Sequence, residues 1–596
     1  MTGDASSPAA TPIVFTAAGG PCFGWYHPAR APARGAGVVL CPGMGWEAIC
    51  SYRTFLQFAH ALVEAGFDVL RFDYHGTGES AGGDADPGRV AAWEDSIAQA
   101  CSNLRRLSGV SRMALLGLRL GGTLAADAAI RLGGVDALVM WAPPTSGRAY
   151  SRELKAGASA VGMQPAKPSG DLVAMGSLYT AETLAAMQAL SFDAAARAPA
   201  PAVLIIERDD FPSSGALAAR FRALGALVTE QGWPGYAAMM VEPHKAELDP
   251  LLPGRIAQWL SEALPPDGSQ VRFKAPQPVA FVTEGVRESA VRFGSDASLF
   301  GMLAEPAVAT GLQPEVGVIL ANVAGNYRIG PNRIYVKLSR ALAAAGFRAL
   351  RFDLPGIGDS RFDVGLSARS LYNQDSTPDV GAAVDVLVER GCRQVWVLGI
   401  CSGSYVAFNA ALADPRIAGQ VLMNPRLLEW SQGSGDWEAA MSSAAYKSTI
   451  YYRRKLRMPD VYLRLLRGKI DVKGISSRIA ILIGARLRRT FKRMLGRSPV
   501  EGVLPKMKLL GTRGVDTLMI MSAQDDGLDY VEFHLGSGAS EMRGDPRFRF
   551  EIVEDSDHTF SSLPSQRHVI DTVIAHLNRA SGWQLAQQDV SDEAQG

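Results

Sequence analysis

Short, unbroken apolar runs punctuate the chain at 38–41, 113–117 ("MALLG"), 317–321 and 395–399 ("VWVLG"). Between them lie longer stretches rich in alanine and leucine, such as those that open at Ala61 and Ala341. A strand that is apolar at every position must be buried on both faces, the condition of a parallel sheet covered by helices. Alternation of such strands with helical stretches of about 10 to 15 residues therefore predicts βαβ units. Upstream of each series, "PIVFTAAGGPCFGWYHPA" and "SAVRFGSDASLFGMLAEP" predict antiparallel hairpins joining the edge of that sheet.

The pattern occurs twice. "GVVLCPGMG" (37–45) matches "GVILANVAG" (317–325), and "ALVEAGFDVLRFDYHGTGES" (61–80) matches "ALAAAGFRALRFDLPGIGDS" (341–360), both at an ungapped offset of 280. A fold repeated in tandem is the reading. The expected division is a first domain over 1–265, a proline-rich linker over 266–280, a second domain over 281–582, and a polar, acidic tail over 583–596 expected to be disordered.

Composition adds little to this picture, but charge changes it locally. The 596 residues are 47% apolar and 20% charged, with a net charge of +1 and no long apolar run, which predicts a cytoplasmic globular protein without a membrane span. Between Lys447 and Lys508, however, 18 Lys or Arg stand against three acids, so the rest of the chain is net acidic. This segment falls within an insertion, about 430–512, where basic amphipathic helices are expected. It reads as a cap that docks an acidic partner, such as an acyl carrier protein or coenzyme A. A membrane surface is the less favoured partner, and nucleic acid is not expected, because no aromatic interleaving accompanies the charge. The six cysteines have neither a disulfide framework nor zinc-site spacing, and "GTGES" and "GIGDS" lack the dinucleotide fingerprint, so no metal or cofactor is expected.

The chemistry is carried by Gly399-Ile400-Cys401-Ser402-Gly403, a strand-to-helix turn of the form G-x-Nuc-x-G with cysteine in the nucleophile position. Ser402 and Ser404 are alternatives only if the turn is out of register. With the duplicated architecture, this motif resembles the α/β-hydrolase fold, and its cysteine elbow is similar to those of dienelactone hydrolases, polyhydroxyalkanoate synthases and some thioesterase-like domains. The expected fold class is accordingly α/β: two doubly wound, mostly parallel sheets with helices on both faces and a cap insertion in each.

That resemblance implies the order nucleophile, acid, base, with each partner after a late strand. "VDTLMIMSAQDDGLDY" supplies Asp525, with Asp526 its rival, and "FRFEIVEDSDHTF" supplies His558. The implied triad is Cys401, Asp525 and His558. A free thiol is only slightly ionised at neutral pH and needs an imidazole to take its proton, while an aspartate fixes the imidazole tautomer. The implied oxyanion donors are the backbone N–H of Ser402 and one from "ANVAGN", at Val323 or Ala324, with the side chains of Asn322 or Asn326 as substitutes.

In the first copy the elbow reads Gly117-Leu118-Arg119-Leu120-Gly121, and arginine cannot act as a nucleophile. Asp209 and His244 still occupy the acid and base positions, so Arg119, Asp209 and His244 form a vestigial site, read either as scaffold or as an anion pocket. "FDYHGTGES", "GLRLGG" and "GYAAMMVEPHKA" resemble exosortase-associated hydrolase-like proteins, which implies a bacterial cell-surface or secondary-metabolite setting. The expected activity is hydrolysis of an ester or thioester through an acyl-cysteine. The alternatives are acyl transfer to an amine or hydroxyl by the same three residues, and a non-catalytic interaction protein.

Overall fold

A computed structural model describes residues 10–30, 32–160, 170–211, 215–267, 279–307, 315–361, 375–429 and 502–582. Most of the expected basic cap and linker, and the whole of the tail, lie outside the described residues.

The strands of the first sheet are β1 (Thr11–Ala17), β2 (Gly20–His27), β3 (Ala36–Cys41), β4 (Asp68–Phe72), β5 (Arg112–Leu118) and β6 (Ala137–Trp141). A small hairpin, β7 (Leu172–Ala174) and β8 (Ser177–Tyr179), precedes the last two, β9 (Ala202–Ile206) and β10 (Leu227–Gln231). The eight-stranded sheet runs β1-β2-β4-β3-β5-β6-β9-β10. Only the β1–β2 and β2–β4 pairs are antiparallel. The two faces explain the apolar runs. In β3, Val38 and Leu40 belong to one buried cluster while Val39 and Cys41 belong to the other, and β5 divides Ala114, Leu116 and Leu118 from Met113 and Leu115 in the same way. Successive side chains point to opposite faces, so a strand covered by helices on both sides can carry no polar alternation.

The second sheet contains β11 (Ala280–Thr283), β12 (Val286–Phe293), β13 (Leu299–Pro306), β14 (Val316–Ala321), β15 (Arg348–Asp353), β16 (Gln394–Ile400), β17 (Ile417–Met423), β18 (Asp516–Ser522) and β19 (Phe548–Val553). Its order, β11-β12-β13-β15-β14-β16-β17-β18-β19, repeats that of the first with one additional edge strand. In both sheets the first parallel strand in sequence lies between its two successors. This switch point opens a crevice at the carboxyl ends of the strands, where ligands bind in open α/β sheets. The chain forms two compact units, Met1–Val291 with Gly301–Val308 and Gly325–Arg340, and Arg292–Phe300 with Ala309–Ala324 and Ala341–Gly596. Among the described residues no helix is long and apolar enough to cross a membrane.

Candidate active site

β16 ends at Ile400 and a helix begins at Ser402, leaving Cys401 alone in the turn with φ 55° and ψ −114°. This conformation is costly for a residue with a Cβ and persists only where its surroundings fix it. The surroundings here are close: a Cβ on Gly399 would lie 2.0 Å from the carbonyl carbon of Gly403, and one on Gly403 would lie 2.8 Å from the oxygens of Ala321 and Asn322. Glycine at both positions lets helix and strand meet. The Cys401 N–H is held by the Met423 carbonyl at 2.9 Å. Neither neighbouring serine presents its hydroxyl in the turn. Ser402 Oγ accepts the Ala324 N–H at 2.8 Å, and Ser404 Oγ donates to Gly399 O at 2.7 Å.

Asp525 follows β18, and His558 follows β19, two strands that pair in parallel so that both loops emerge at the same edge. His558 Nδ1 hydrogen-bonds Asp525 Oδ2, and the imidazole acts on the Cys401 thiol, lowering it. Asp525 is completely buried and also accepts the Gly527 N–H at 2.6 Å. All six cysteines lie in the described residues, and Cys401 is the one that is not fully buried. Burial pushes Cys22 up to about 11 and Cys101 up to about 12. At Cys401 burial acts in the same direction but is outweighed by the charge and hydrogen bond of His558, with Arg426 contributing, and the thiol falls below its ordinary value. Burial alone would depress His558. The Cys401 charge and the Asp525 hydrogen bond reverse this and raise the imidazole from 6.5 to about 10. The two groups thus titrate as a coupled thiolate–imidazolium pair.

Residues 32–197 match the family model described as serine aminopeptidase, S33, and residues 324–570 match the alpha/beta hydrolase family. The chain is a tandem α/β-hydrolase-fold enzyme. Similar solved structures include a dienelactone hydrolase from Anabaena variabilis, 15% identical over 50% of this chain and 99% of that one, with a TM-score of 0.30. Est1E from Butyrivibrio proteoclasticus, solved with ferulic acid bound, is 15% identical over 42% and 98%, with a TM-score of 0.34. An esterase from Pyrococcus furiosus is 15% identical over 51% and 90%, with a TM-score of 0.29. No substrate follows from these likenesses. No curated protein matches the chain at a significant level.

The second unit of the tandem hydrolase adds details that the motif did not carry. Ser402 opens its helix, so its N–H has no acceptor within that helix. The Ala324 N–H is taken by Ser402 Oγ. Asn322 is committed elsewhere, accepting the Leu354 N–H at 2.7 Å, and Asn326 belongs to the first unit. Asn424, unmarked in the sequence reading, joins both late loops. Its Nδ2 donates to the His558 carbonyl at 2.9 Å and its Oδ1 accepts the Ser522 N–H at 2.7 Å. The available signal was an asparagine just after an apolar strand, where its positive φ of 45° is tolerated better than in most residues.

In the first unit of the tandem hydrolase Arg119 adopts the same turn, φ 52° and ψ −124°, so the elbow is present with an arginine in the nucleophile position. The guanidinium is 3% exposed and committed to Glu47 at 3.0 Å, to the Ala142 carbonyl at 3.1 Å and to Glu153. Tyr150 donates to the other Glu47 oxygen at 2.9 Å. Two carboxylates already neutralise this arginine, an arrangement that serves packing rather than capture of an external anion. Asp209 accepts the N–H groups of Gly235 and Ala237, so its carboxylate holds the turn ahead of a short helix. His244 lies downstream on the loop before the helix Leu252–Ala263. These three residues do not form a relay like that of the second unit.

Proposed function

We propose that the tandem hydrolase cleaves an ester or thioester through an acyl intermediate on Cys401, with His558 as acid and base and Asp525 as its orienting carboxylate. The observation that carries this reading is the pairing of a strained, partly accessible thiol with an imidazole whose other nitrogen is held by a buried aspartate. The thiolate adds to the acyl carbonyl carbon, and the resulting oxyanion is received by the Ser402 and Val323 N–H groups. Collapse restores the C=O bond and breaks the bond to the leaving oxygen or sulfur, which takes the proton from His558 Nε2. Water then gives a proton to His558 and attacks the thioester, releasing the acid and restoring the ion pair.

An amine or hydroxyl entering in place of water would make the same residues an acyltransferase, a reading favoured by the reactivity of a thioester intermediate toward such acceptors. The excess of 15 basic over acidic residues across 447–508 suits an acidic acyl donor, a carrier protein or coenzyme A thioester. Intact-mass measurement after mixing with a series of acyl thioesters tests the proposal. An acyl adduct is expected on the native protein and absent from Cys401→Ala. An adduct of equal yield in that variant would overturn it. Free acid in water, against a conjugate when an acceptor is added, separates hydrolysis from transfer.

A further inference from the structure

Arg426 stands three residues beyond Met423, whose carbonyl holds the Cys401 N–H. The intervening Asn424 bonds the His558 carbonyl, and the Pro425 oxygen would lie 2.6 Å from a Cβ on Gly527, beside Asp525. The backbone at Arg426 is thereby fixed between the elbow, the base loop and the acid turn. Its guanidinium is close enough to help hold the Cys401 thiolate. Yet Nε of Arg426 is buried without a hydrogen-bond partner, and among the described residues no carboxylate pairs with the group.

The first copy makes the point sharper. Ala142 N–H bonds the Ile206 carbonyl as Asn424 N–H bonds that of Ile520, and both residues have positive φ, so Pro144 is the counterpart of Arg426. That copy keeps its cation at Arg119 and matches it with Glu47 and Glu153. Among the described residues, Arg426 of the second copy has no such acid. Arginine presents a planar fork of donors that fits a carboxylate with two parallel bonds, and a buried donor left unmatched is costly.

We infer that Arg426 receives a carboxylate on the acyl group, so that the preferred substrates are ω-carboxyacyl esters or thioesters rather than neutral acyl chains. The inference rests on acylation of Cys401. It is tested by alkylating the full-length protein with iodoacetate and with iodoacetamide, which differ in charge. In both reactions the Cys401 sulfur displaces iodide from the CH2 carbon, so the ratio of the two rates cancels the thiolate population. Arg426→Gln is expected to lower the iodoacetate-to-iodoacetamide ratio by about tenfold, and Arg426→Lys to restore part of it. The ratio of kcat/KM for succinyl against butyryl thioesters is expected to fall in parallel. The iodoacetamide rate in each variant reports whether the elbow is intact. Ratios unchanged in Arg426→Gln, with Cys401 still labelled, would overturn the inference alone. Labelling that persists in Cys401→Ala would instead overturn the reading on which it rests.

Discussion

Replacing Asp525 with asparagine isolates what the buried carboxylate does for the pair. The imidazole rises from 6.5 to about 10, which at 1.36 kcal/mol per unit is of order 5 kcal/mol in favour of the imidazolium. That preference is shared between the Cys401 charge and Asp525. The substitution has opposing effects on the thiol. Loss of the Asp525 charge removes a direct repulsion that raises Cys401, but this is the smallest of the influences on it, whereas the His558 charge and hydrogen bond lower it and depend on the imidazolium. The indirect effect wins, so the Cys401 thiol is expected to rise while His558 falls. In the native protein the reactive pair exists above the depressed ionisation of Cys401 and below about pH 10, where the imidazolium is lost. In Asp525→Asn both limbs move inward. The alkylation rate of Cys401 by iodoacetamide, followed by mass spectrometry across pH, is expected to drop roughly tenfold or more at neutral pH. An identical pH profile in the variant would refute the ion pair and the role of Asp525 with it.

Three further outcomes follow from the same contacts. Asn424→Ala removes the bonds that fix the His558 carbonyl and the end of β18, and is expected to reduce kcat more than KM while lowering stability by about 1–3 kcal/mol, measured by denaturant unfolding. Arg119→Ala leaves Glu47 without its cation, while Glu153 keeps Arg208, and is expected to destabilise by about 3–5 kcal/mol, an effect that Arg119→Met with Glu47→Gln reduces in a thermal melt. If the basic segment over 447–508 recruits an acidic donor, kcat/KM for a coenzyme A thioester falls steeply between low and moderate salt, while that for a small neutral ester stays nearly level.

The duplication, the alternation of strand and helix, and the turn at Cys401 were all legible in the sequence, because each depends on residues close together in the chain. A strand buried on both faces has to be apolar throughout, and a turn this tight admits glycine alone at Gly399 and Gly403. The tertiary structure decided what depended on closure of the sheet. Asp525 and Asp526 are adjacent and chemically equal, but packing buries the first against His558 and leaves the second exposed. Ala324 gives its N–H to a hydroxyl 78 residues away, and Asn424 reaches 134 residues to the His558 carbonyl. Arg119 looked able to grip an anion until two distant glutamates proved to hold it, whereas Arg426 drew no notice in sequence because its distinction, a buried Nε without a hydrogen-bond partner, exists only in space. Hydrogen bonds and ion pairs act over a few ångströms of space, so their partners are fixed only when parallel strands bring separate loops to one edge.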